Sequence, residues 1–127
     1  WAGLRTDDFE WITTFENSSF CKPNPAYYLE ILNRFGLKPE ECIMIGNDVT
    51  EDMVAENLGM KVFLLTDCII NKENKDISVY PNGGFPELLD FLRFNLFVRD
   101  NLQNFCVSCR SQHNHSLVIR LIYFLFY

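Results

Sequence analysis

Residues 42–52 read Cys-Ile-Met-Ile-Gly-Asn-Asp-Val-Thr-Glu-Asp, and this stretch limits the folds open to the chain more than any other. The apolar run Cys42–Ile45 is short and uncharged and stops at Gly46, which is how a buried strand reads. Asp48, Glu51 and Asp52 follow at once, in a segment that reads as helix. Carboxylates therefore gather just beyond the carboxyl end of a strand. In open parallel α/β sheets, that edge is where ligands bind.

The flanks repeat the strand–helix pattern. Trp11–Phe15 is rich in β-branched and aromatic residues and is predicted to be a strand. After a loop, Asn24-Pro25 supplies a cap and a first-turn proline. Tyr28, Ile31, Leu32 and Phe35 then recur at helical spacing, and Gly36 ends the helix. Beyond Cys42–Ile45, a helix capped by Asp48 or Thr50 is predicted to run to about Leu58, with Gly59 as its stop. Lys61–Leu65 reads as a further strand, Asn71–Gly84 as a polar connection, and Pro86 to about residue 94 as a last helix. Alternation of this kind predicts parallel strands joined by helical crossovers.

Residues 95–127 differ. They show no clear period and end in an apolar run of 11 residues interrupted by Arg120. A membrane-spanning helix needs about 20 apolar residues, so no membrane span is expected. The run has the composition of an aggregation-prone strand. Cys106, Cys109, His113 and His115 have a passing likeness to a zinc ligand set, but the pairs are too close together for finger patterns.

Net charge is −6, which argues against a nucleic-acid binder, since that needs a basic face. Five cysteines, an odd number, give no disulfide framework and suggest a reduced, cytoplasmic protein. The sequons at Asn17 and Asn114 carry little weight without a secretory context. The chain begins Trp-Ala-Gly-Leu, without a starting methionine or signal-peptide features, and reads as a piece of something longer.

Asp48 and Asp52 can point at one spot above the strand end, where two carboxylates suit Mg²⁺. The same pattern also arises simply because acidic residues favour helix N-termini. Lys22 lies in the loop before the Asn24-Pro25 helix start, where a lysine and exposed backbone amides make an anion site. It is equally an ordinary loop lysine, unless its loop leaves the same sheet edge. Ser18, Ser19 and Asn47 are candidate substrate contacts.

Together, Lys22-Pro23-Asn24-Pro25, Ile43 to Asp52 and Leu58-Gly59-Met60 resemble the second half of a haloacid dehalogenase (HAD) superfamily hydrolase. The likeness covers about residues 1–93. It implies an α/β fold, a partial Rossmann-like parallel sheet of HAD type with helical crossovers and its N-terminal strands missing. It divides the chain into 1–94, the C-terminal part of a hydrolase core, and 95–127, a tail without family counterpart. It implies Mg²⁺-dependent phosphate-ester hydrolysis through an aspartyl-phosphate, on a small phosphorylated metabolite. By the resemblance, Lys22 steadies the nucleophile and the phosphoryl group, and Asp48 and Asp52 hold the magnesium.

The departures from the family pattern are specific. No Asp-x-Asp nucleophile motif occurs in the sequence; Asp7-Asp8 precedes the first predicted strand. No phosphate-binding threonine or serine stands upstream of residue 11 in the family's place. The expectation is a chain inactive alone, marginally stable, with Trp11–Phe15 beside Cys42–Ile45 or unpaired. The alternative is a non-catalytic pseudo-enzyme or partner-binding fragment. A receiver-like phosphorylation domain fits less well, because there the acidic pair comes early and the lysine late.

Overall fold

A computed structural model describes residues 11–104 and 121–123. Four strands form one parallel sheet: β1 (Ile43–Gly46), β2 (Lys61–Leu65), β3 (Asn82–Gly83) and β4 (Leu121–Tyr123), in the order β3-β2-β1-β4. β1 pairs with β2 from Ile43 opposite Lys61 to Gly46 opposite Leu64. Its other edge pairs with β4, Ile43 opposite Leu121 and Ile45 opposite Tyr123. The partial parallel α/β sheet expected from the sequence is the observed architecture.

Alternation along β1 and β2 sorts their side chains onto two faces. Met44, Val62 and Leu64 join Tyr28, Ile31 and Leu32 of helix α1 (Pro25–Phe35) and Met53 and Ala55 of a 3₁₀ turn (Met53–Leu58) in one buried cluster. Ile43, Ile45 and Phe63 pack on the other face with Leu88 and Leu92 of helix α2 (Phe85–Asn104). The result is three layers about a sheet buried on both sides, which is why β1 is apolar at every position.

Local signals explain the ends of α1. The Asn24 side chain accepts from the Ala26 amide, and Pro25 follows at the first helical position. Gly36, at φ 61°, closes the helix in the left-handed conformation that a side chain would resist.

Two sequence expectations need correction. Trp11–Phe15 is not a strand. Its groups are taken up locally: Trp11 packs edge-on to Phe35 with ring centroids 6.4 Å apart, and the Arg34 guanidinium lies 4.1 Å from its ring centre. The Thr13 and Tyr27 hydroxyls hydrogen bond at 2.9 Å, and the Asn17 side chain accepts the Thr14 amide. The segment from Thr50 to Leu58 is not an α-helix but a turn followed by 3₁₀ structure, in which the Ala55 and Gly59 amides reach back three residues, to the Asp52 and Glu56 carbonyls, rather than four. The last helix continues past residue 94 to Asn104. Among the described residues, no helix is long and apolar enough to cross a membrane. Cys106, Cys109, His113 and His115 lie outside the described residues.

Candidate active site

The loop Gly46–Asp52 leaves the carboxyl end of β1, and Asp52 turns back onto it. Asp52 Oδ2 accepts from the backbone amides of Asn47 and Asp48, at 3.0 and 2.9 Å. Its Oδ1 accepts from Lys22 Nζ at 2.6 Å. The Asp52 side chain is wholly buried and that of Lys22 nearly so. Such a pair is held by three donors on one carboxylate, which offsets the desolvation that an isolated buried charge would suffer. A Cβ at Gly46 would stand 2.3 Å from the Asp52 carboxyl carbon, so only glycine lets the carboxylate lie against the strand end.

Asp48 is the cap of the next turn. Its Oδ1 accepts from the amides of Thr50 and Glu51, at 2.8 and 2.9 Å. Both of these bonds fall on one oxygen, so Oδ2 has no protein donor among the described residues. The Tyr28 hydroxyl donates to the Glu51 carbonyl at 2.5 Å, tying α1 to the same turn. Burial first, and then the charge of Asp52, push the Tyr28 hydroxyl pKa far above its ordinary value; burial likewise raises that of Tyr27.

A second loop is fastened alongside. Asn47 Nδ2 donates to the Cys68 carbonyl at 2.6 Å, the Ile70 amide to the Asn47 carbonyl at 2.7 Å, and the Val49 amide to the Ile70 carbonyl at 3.0 Å. Asn47 Oδ1 is buried without a hydrogen-bond partner among the described residues.

The structure thus brings Lys22, Asp48 and Asp52 to one place, with Asn47 in the loop between. It does not bring Ser18 and Ser19 there by any hydrogen bond. Ser18 Oγ donates to the Phe20 carbonyl, and the Ser19 amide and hydroxyl go to the Glu30 carboxylate. Sequence reasoning missed two supports, the seat at Gly46 and the brace from Tyr28. The glycine was visible as a break but not as a contact, because its partner is six residues away around a loop. Among the described residues, no cluster of three His, Cys, Asp or Glu side chains is placed to hold a metal ion.

A buried lysine–aspartate pair at the carboxyl edge of a parallel sheet, beside an aspartate with an oxygen to spare, can neutralise an anion and hold a cation together. Residues 2–59 match the family of haloacid dehalogenase-like hydrolases. Over 71 residues the chain is 34% identical to a glyceraldehyde 3-phosphate phosphatase of Methanothermobacter thermautotrophicus, covering 55% of this chain and 31% of that protein. A second glyceraldehyde 3-phosphate phosphatase, from Pyrococcus furiosus, is 32% identical over 94 residues, or 70% of this chain and 39% of its own length. A putative phosphatase, YhcW of Bacillus subtilis, is 36% identical over 59 residues, covering 46% and 27% respectively. No solved structure matches the chain. Residues 2–59 thus carry the sequence of a haloacid dehalogenase-like hydrolase. The chain spans between 27% and 39% of the length of these relatives.

Proposed function

We propose that residues 1–94 are the C-terminal part of a hydrolase core and carry one half of a Mg²⁺-dependent phosphate-ester hydrolysis centre. The observation that carries this reading is the 2.6 Å contact between Lys22 and Asp52, 30 residues apart in sequence, beside Asp48 at the sheet's carboxyl edge. Lys22 would steady the nucleophile and the charge of a phosphoryl oxygen, its own position fixed by Asp52. Asp48 fits a metal ligand, because Oδ2 is left over once Oδ1 has capped the turn. Asp52, with its oxygens already bonded, fits a role through water or as an anchor. When bound, Mg²⁺ would supply charge neutralisation at the phosphoryl group. The parent substrate would be a small phosphorylated metabolite, handled in the cytoplasm through an aspartyl-phosphate.

The sequence holds no Asp-x-Asp, so this chain alone lacks the covalent route that divides the reaction into two easier steps. Taken alone it is a non-catalytic half that binds the ion and leaves the phosphoester intact.

The test combines turnover of p-nitrophenyl phosphate with calorimetric titration of Mg²⁺. The expected result is no turnover above buffer and weak Mg²⁺ binding that vanishes in Asp48→Asn. That variant keeps the oxygen that caps the turn and loses the charge. Mg²⁺ binding that survives in Asp48→Asn would sink the metal assignment. Turnover in the parent that Asp48→Asn abolishes would instead make the chain an enzyme in its own right.

A further inference from the structure

β1 is the centre of the molecule, and its outer edge is closed in an unusual way. Ile43, Met44 and Ile45 are buried on both faces of the sheet. Backbone amides and carbonyls between two apolar layers need a partner strand, since water cannot reach them freely. β2 supplies one on one side, over four residue pairs. Among the described residues, the other side is met by Leu121–Tyr123, from far along the sequence.

That intramolecular pair is costly to close. Parallel pairing is somewhat weaker per residue than antiparallel pairing. Bringing residue 121 back to residue 43 closes a long loop, and the entropic cost rises with loop length. The residues around β4, 117–127, contain one charged side chain, Arg120, and neither glycine nor proline. Apart from Arg120, that stretch of sequence has neither the charges nor the prolines that commonly keep an apolar strand from pairing with another molecule.

The segment that fits this edge is also present in every copy of the chain, in a register already defined. We propose that the outer edge of β1 is a strand-acceptor surface whose partner is the Leu121–Tyr123 strand of a second copy of this chain. The two copies exchange their tail strands reciprocally and form a closed dimer. Each keeps the register Ile43 opposite Leu121, and exchange of an identical element needs no new complementarity. Loop closure within one chain is replaced by association between two, so the exchanged form gains as concentration rises.

The test measures mass by light scattering over a wide concentration range and hydrogen exchange at the amides of residues 43–46 and 62–64. The expected result is a monomer-to-dimer shift. Exchange at 43–46 should slow by about tenfold or more across that range, while exchange at 62–64, inside the sheet, changes little. In Ile122→Pro, which cannot sustain a ladder, the dimer and the extra protection at 43–46 should both disappear. If that variant loses protection at 62–64 as well, it has unfolded, and the concentration dependence of the unaltered chain decides. A chain that stays monomeric throughout, with 43–46 protected to one constant level, overturns the proposal. So does a dimer that persists in a folded Ile122→Pro.

Discussion

Asp52 accepts from Lys22 and from two backbone amides while wholly buried, so truncating it removes the acceptor that all three share. Breaking one partner of a buried pair typically costs about 3–5 kcal/mol. Asp52→Ala should lower the stability of this chain by that order, read as a fall in the urea midpoint at constant slope. Tyr28 gives a pH dependence with a definite sign. Its hydroxyl is held protonated in the fold by burial and by the charge of Asp52, whereas in the unfolded chain it titrates near 10.0. The folded state therefore binds the extra proton above that pH. Stability from this group is complete below pH 10 and falls above it, by at most about 1.4 kcal/mol per pH unit. Tyr27 shifts in the same direction and adds to the fall. Denaturation of Tyr28→Phe between pH 8 and 11 should show a shallower alkaline decline. At neutral pH it should show a loss of about 1 kcal/mol for the missing bond to Glu51.

At the scale of elements, the sequence was most legible where an end signal and a periodic run agreed. Asn24, Pro25 and Gly36 bracket α1 as expected, and Lys61–Leu65 is β2. β1 lies one residue further along than the apolar run implied, because Gly46 still pairs with Leu64. Trp11–Phe15 has strand composition without a strand, since propensity yields when side chains find partners on a neighbouring helix. The pairing of β4 with β1 could not be read at all, for nothing in either segment's local pattern names the other. At the candidate site, the meeting of Lys22, Asp48 and Asp52 was legible through the loops that carry them. The brace from Tyr28 was not, because that residue looks like any other on α1's apolar face. One element-scale outcome follows from the cap. Asn24→Ala should cost about 1 kcal/mol by fraying the first turn of α1. Circular dichroism melts would register it as a lower midpoint, with the Lys22 loop loosened at its foot.

At the scale of the molecule, the described residues form one sheet of four strands, two of which pair over three residues or fewer. Large apolar side chains remain exposed, among them Phe15, Phe94 and Val79. Both features point to a shallow unfolding transition and a tendency to self-associate. The denaturant slope should fall below that usual for a domain of this length, since the slope follows the surface exposed on unfolding. A steep, fully reversible transition would contradict this. The seat at Gly46 has a further implication. Asp52 spends its charge inward, on the chain's own amides and on Lys22, so the loop's shape does not depend on any guest. The geometry is preorganised: an arriving dianion or cation would meet a frame already rigid, and its binding energy would go into attraction rather than into ordering the loop.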